Sequence, residues 1–287
     1  MQAIIFAFVA YFAWGVGMAF EAIAARKIEA KSFSFWGFVL GFFLSSLYAP
    51  FVLYELKNIS LGLIGFCYLI GFFILLGTII YYQALKKGNP SLVGTIASSF
   101  PMVTVVISIV FLKEKINLFQ IIATMIIFIG LVFTMLNFDE INKKKFKLNT
   151  GVFLAFLTML CWGVYSSLIK IPISKIGWFW PNWFIFSSFP LIYLYMRFSK
   201  TTLEIPKKKD VVIFVILSIL FVRIAEYAYN LGLSSGMTSI VAPIAGANPT
   251  LFVILAYFIF KEPLKKSQVI GIISTLAGVI LLSAFSI

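Results

Sequence analysis

Arg223, Glu226, Tyr227 and Asn230 stand at i, i+3, i+4 and i+7 in the stretch VRIAEYAYN. On a helix that spacing places all four on one face. The stretch lies in an apolar run from about 211 to 233, long enough to cross a bilayer. A charge at the centre of a membrane helix costs roughly 2.5–3.5 kcal/mol on insertion scales. The face must therefore point at protein or at a water-filled cavity. Two chemistries fit. In one, the Arg223 fork holds a carboxylate or phosphate, while Glu226 binds an ammonium or takes up a proton. An amino acid carries both complementary charges. In the other, Arg223 and Glu226 neutralise each other as a structural ion pair.

A second polar face sits on the first apolar run, where Trp14, Met18 and Glu21 stand at i, i+4 and i+7. An aromatic floor beside a carboxylate suits a cation or a proton. The alternative is that Glu21 pairs with Arg26, Lys27 or Lys170. Trp162, Tyr165 and Ser166 form a further face, suited either to substrate or to helix packing. Pro101 and Pro249 each remove an N–H and free a carbonyl in mid-helix. They predict kinks. Ser98, Ser99 and Asn248 beside them are candidates to satisfy those carbonyls, or to touch substrate.

The elements that carry these residues follow from composition. The 287-residue chain is 62% hydrophobic and 11% charged. Ten apolar runs lie between charged or Gly/Pro breaks, approximately 3–25, 34–54, 60–85, 91–112, 116–137, 150–170, 178–198, 211–233, 238–260 and 267–286. Such runs predict an all-α membrane protein of ten transmembrane helices with no room for a soluble domain. The first run has no basic residue before it and is read as a span, not a signal peptide. The chain has no histidine, and Cys67 and Cys161 are isolated in apolar runs. That pattern predicts no metal, no cofactor and no disulfide framework. An intramembrane enzyme would have only carboxylates to work with. The formal charge of +13 falls in loops, which points to anionic lipid rather than nucleic acid. Asn58-Ile59-Ser60 matches the short glycosylation acceptor pattern, a weakly specific motif.

The sequence repeats at an offset of 148. Trp14-Gly15-Val16 falls on Trp162-Gly163-Val164, Tyr81 on Tyr229, Pro101 on Pro249, Lys113-Glu114 on Lys261-Glu262 and Gln120 on Gln268. Each half holds five spans. Five is odd, so the second half enters from the opposite side. Two inverted five-helix repeats then enclose a central cavity, an arrangement characteristic of secondary transporters. The expected division is 1–138, a basic connection 139–149, and 150–287. The counterpart of the Arg223 face is Leu75, Thr78, Ile79 and Tyr82, still polar at Thr78 and Tyr82.

The Trp-Gly pair early in each half, the mid-helix proline in each fourth span, the glutamate that closes it (FLKEK, IFKEP) and the glycine-bearing fifth span resemble the drug/metabolite transporter superfamily, in particular its EamA-type members. The resemblance covers the whole chain. It implies a carrier of small metabolites with alternating access, for cargoes that include amino acids, sugars, nucleotide sugars and drugs. The expected function is a secondary transporter of small polar or zwitterionic metabolites, amino acids foremost, in the plasma (inner) membrane. Sugars, nucleotide sugars or cationic drugs are the alternative. A non-transporting structural protein is a different class. Monomer and homodimer both stay open.

Orientation is read two ways. The loops after the odd-numbered spans carry seventeen Lys and Arg residues, and those after the even-numbered spans five. The positive-inside rule then places both termini outside. The family resemblance implies both inside.

Overall fold

The computed structural model describes residues 1–24, 27–88, 90–135, 150–261 and 263–286. Among them all regular structure is helical. In the first half the elements are α1 (Gln2–Ala24), α2 (Ala30–Tyr48) with a 3-10 extension Ala49–Asn58, α3 (Leu61–Lys87), α4 (Pro90–Ser98), α5 (Phe100–Val110) and α6 (Leu118–Met135). In the second half they are α7 (Thr150–Leu168), α8 (Lys170–Ile176), α9 (Trp180–Phe186), α10 (Phe189–Phe198), α11 (Lys209–Ser235), α12 (Thr238–Gly246), α13 (Pro249–Phe260) and α14 (Lys266–Ala284).

These elements make ten spans, because α4–α5, α7–α8, α9–α10 and α12–α13 each form one. Nine clear the length and hydropathy needed to cross a bilayer among the described residues. The seventh is broken into α9 and α10 at Ser187–Ser188, just ahead of Pro190, which cannot donate a helical hydrogen bond. The fourth and ninth spans break just before Pro101 and Pro249. The second span starts at Ala30, four residues before its apolar run, because Glu29 caps it by accepting from Ser32 N at 2.9 Å. Ser60 caps α3 in the same way, 3.2 Å from Leu63 N.

The two halves are antiparallel and interlocked. α1 lies along α11, α3 along α7, and α6 along α14. The ends of α1 fix its direction. Ala3 lies against Gly236, and Lys27 pairs with Asp210 at 2.6 Å. The same arrangement recurs 148 residues away, where Gly88 lies against Gly151. Close approach of α6 and α14 needs glycine. A Cβ on Gly278 would fall 2.8 Å from the backbone N of Ile127, and Gly130 is wedged against Thr275 and Gly271.

This threading gathers the ends into two faces. One carries Met1, Lys170, Glu114, Gly236 and the C-terminal turn, where Gln120 Nε2 donates to Phe285 O at 3.0 Å. The other carries Lys27, Lys31, Lys86, Lys87 and Lys207–Lys209. Lysine is thus concentrated on the face opposite the termini. Arg26, Lys143, Lys144, Lys145, Lys147 and Glu262, like the expected connection 139–149, lie outside the described residues.

Candidate functional site

α11 brings Arg223 and Glu226 to the middle of the bundle. Arg223 Nη1 lies 2.8 Å from Glu226 Oε2, and the side chains keep 13% and 16% exposure. They form an ion pair, but the angle is poor for a hydrogen bond. Arg223 Nε and Nη1 and Glu226 Oε2 are all buried without a hydrogen-bond partner. Buried polar groups are rarely left so. The guanidinium lies over the Phe186 ring, with Cζ 4.2 Å from its centroid. Ile224, the next residue on the helix, is 50% exposed.

The wall facing this pair is the second helix. Ser34, Gly37, Gly41 and Ser45 share one of its faces. Gly41 touches the Arg223 side chain, a Cβ there falling 3.1 Å from Cδ. Ser34 Oγ reaches Tyr82 Oη at 3.4 Å, and Ser45 Oγ accepts from Tyr227 Oη at 2.6 Å. Between them Gly37 is buried, yet a Cβ built on it would meet no neighbouring atom within 4 Å. A hollow therefore lies beside Gly37, on the α2 face between Ser34 and Gly41.

Glu21 stands on the lysine-rich side of this hollow, partly exposed. Its charge interacts with Arg223, Tyr81 and Tyr82. It makes no hydrogen bond or ion pair with any other described residue. Two of its proposed partners are engaged elsewhere. Lys27 holds Asp210, and Lys170 Nζ donates to the carbonyls of Leu233 and Gly236 at the end of α11. The third, Arg26, lies outside the described residues.

The four-residue face of α11 divides in two. Arg223 lies against Gly41, one turn from the hollow, and Glu226 pairs with it. Tyr227 turns toward the terminal face, stacked on Phe179 at 5.5 Å and 8° and edge-on to Trp178. Asn230 is fully buried, with Nδ2 donating to Trp178 O at 2.9 Å and Oδ1 unpartnered. Tyr165 donates to Asn182 Oδ1 at 3.3 Å and interacts with both Glu226 and Arg223. Thr78 Oγ1 returns to Ile74 O, and Ser166 lends its carbonyl to Tyr229 Oη at 2.9 Å. Trp14 packs on Tyr229, and Trp162 on Tyr81.

Asn248 Nδ2 donates at 3.0 Å to Ala245 O, the carbonyl that Pro249 frees. Ser99 behaves differently. Its hydroxyl goes to Thr95 O, not to Ala97, whose carbonyl Pro101 frees. Sequence reasoning overlooked Asn182, Phe186 and the Ser34–Ser45 face. The signal was available: small residues at helical spacing inside a phenylalanine-rich run, and a lone amide in WPNWF.

The sequence profile of the EamA-like transporter family matches residues 1–136 and, once more, residues 149–284. The chain belongs to the EamA-like transporter family. The two matches start 148 residues apart, the offset of the internal repeat. This EamA-type chain is therefore a multi-pass membrane transporter of the drug/metabolite superfamily, with small-molecule cargo and a lipid bilayer around it. An uncharacterized protein of Methanocaldococcus jannaschii is 29% identical over 122 residues, 42% of this chain and 85% of that one. That match is about the length of one repeat. A solved crystal structure shares the fold, with a TM-score of 0.81 at 17% identity over 99% of this chain and 97% of the other.

In this EamA-type protein the symmetry of the repeats is broken at the two faces. On the terminal face, α5 packs against α12 and Gly246 is wedged on Pro101. Residues 238–250 are buried throughout. The matching break in the fourth span, Ser98–Phe100, stays partly exposed. Glu114 fastens the closed face. Its carboxylate accepts from Thr238 N at 2.7 Å, Ser239 N at 2.8 Å and Ser239 Oγ at 2.7 Å, capping α12 from the other half of the molecule. Glu114 is thus one side of a latch between the halves.

Proposed function

We propose that the hollow is the substrate site of a secondary transporter for small zwitterionic metabolites, amino acids foremost, located in the plasma membrane and working by alternating access. The observation that carries this is the misaligned Arg223–Glu226 pair beside the hollow. A structural ion pair would saturate its hydrogen bonds, because both groups pay desolvation. This one leaves two donors and an acceptor without hydrogen bonds, on side chains that keep 13% and 16% exposure. A carboxylate can take the Arg223 fork and an ammonium can take Glu226.

In this reading Tyr82 and Thr78 line the first-half wall, and Trp14, Trp162, Tyr165, Tyr227 and Asn230 frame the site. Ser166 and Asn248 support the backbone around it. Glu226 and Glu21 are the groups available for a proton or cation. Pro101 and Pro249 supply the breaks about which the fourth and ninth spans rock. Sugars, nucleotide sugars and cationic drugs are the competing cargoes.

The test is uptake of amino acids by the purified protein in liposomes. Glu226→Gln is expected to abolish most uptake and, because it strands the Arg223 charge, to lower the melting temperature as well. Full uptake with a lowered melting temperature would make the pair structural and end this reading.

A further inference from the structure

Three ionisable groups, Arg223, Glu226 and Glu21, stand around the hollow. Arg223 is matched by Glu226 at 2.8 Å. Glu21 remains as a carboxylate with no ion-pair partner among the described residues, since Lys27 and Lys170 serve Asp210 and the α11 carbonyls. The nearby Glu29 is spent capping α2, and Lys31 donates to Ser199 and Thr201 at 2.9 and 2.8 Å. The chamber thus holds one guanidinium and two carboxyl groups, Glu226 paired with Arg223 and Glu21 unpaired. A zwitterion engages Arg223 and Glu226 and leaves Glu21 without a counter-charge. A cargo with one further positive charge supplies it.

The placement of Glu21 suits such a cargo. α1 and α11 run antiparallel, with Ser218 Oγ bonded to Gly17 O at 3.2 Å and Lys27 bonded to Asp210. Glu21 therefore stands roughly two helical turns from Arg223 along the chamber. Helical side chains lean toward the N-terminus of their own helix, so in this antiparallel pair the two lean toward each other. Tyr82 Oη and Ser34 Oγ, 3.4 Å apart, lie on the wall between them, and Met18 shares the Glu21 face. Hydroxyl groups and an aromatic flank beside a carboxylate suit an ammonium at the end of an aliphatic chain.

Resting on the amino-acid reading above, we propose that the chamber prefers amino acids with a cationic side chain, such as lysine or ornithine: Arg223 and Glu226 take the α-carboxylate and α-ammonium, and Glu21 takes the side-chain charge.

The experiment is counterflow in proteoliposomes of the full chain, with lysine, leucine, glutamate and a hexose as competitors. Lysine is expected to compete at least tenfold better than leucine, with glutamate weaker than both. Glu21→Gln is expected to lower the lysine-to-leucine preference by about tenfold, the loss of one charge-assisted contact, and Glu21→Asp to keep most of it. The ratio does not depend on how much protein folds. Equal competition by lysine and leucine, or a ratio unchanged in Glu21→Gln, overturns the assignment of Glu21 and leaves the amino-acid site standing. Competition by the hexose with none from any amino acid overturns both.

Discussion

The Trp14 indole packs on the Tyr229 ring with centroids 5.5 Å apart at 43°, and 148 residues away Trp162 packs on Tyr81 at 5.2 Å and 48°. Each tryptophan of one half holds the third span of the other. The pairs tie α1 to α11 and α7 to α3, the two seams that flank the hollow. A Cβ on Gly77 would fall 2.6 Å from the Trp162 ring, so that seam is filled.

Trp14→Ala and Trp162→Ala are therefore expected to destabilise the protein. Large-to-small truncation of an aromatic in a packed interior costs about 3–5 kcal/mol. Trp→Phe keeps the ring contact and should cost much less. Thermal melting in detergent reads the difference. A Trp162→Ala protein that melts normally but has lost uptake would move Trp162 from the seam to the substrate.

The Arg223–Glu226 pair gives an asymmetric expectation. Removing one partner strands a charge in the bundle, at roughly 3–5 kcal/mol. Arg223→Ala should therefore melt lower than the double replacement Arg223→Ala with Glu226→Ala. Neither should transport. A double-mutant cycle on melting, with uptake measured alongside, separates stability from function. Uptake by the double variant would remove the pair from the site.

Much of this arrangement was legible in the sequence, and the reason is periodicity. Membrane spans need long apolar runs, so ten of them could be counted. The repeat offset could be read because Trp, Pro and Gln are rare enough for matches in register to carry weight. What periodicity cannot tell is how far a helical face stays on one neighbour. Arg223, Glu226, Tyr227 and Asn230 share a face, yet the last two reach the closed end, because Phe179, Trp178 and Ser45 from other spans meet them there. The seventh span also read as one run, since hydropathy is blind to the break at Ser187–Ser188. The Gly37 hollow was hidden for a different reason. An empty space is a property of what surrounds a residue, and a glycine in sequence does not say whether it is wedged or open.

Gly37 and Gly130 test that distinction. Gly37→Leu puts a side chain into open space, so melting should hold while uptake falls by an order of magnitude or more. Gly130→Leu drives a side chain into Thr275 and the α14 backbone, and overpacking of this kind costs about 1–3 kcal/mol or more. Its melting temperature should fall. Undiminished uptake by a well-folded Gly37→Leu protein would place the transport path elsewhere.

Glu114 supplies the last expectation. Three short bonds from α12 converge on its carboxylate, and each joins the first half to the second. The charge also faces the positive end of the α12 dipole. Those bonds exist only while α5 lies on α12, so they stabilise the form closed at the terminal face and contribute nothing once it opens. Glu114→Gln removes the charge, and Ser239→Ala removes one bond. Both should shift the population toward the opened form, the charge removal further. Ala247 is fully buried behind this latch. A cysteine placed there, in a protein without Cys67 and Cys161, should react slowly with a bulky thiol reagent supplied from the terminal side. Adding Glu114→Gln should speed that reaction several-fold. An unchanged rate would mean that the closed face is held by the Gly246–Pro101 contact and not by the glutamate.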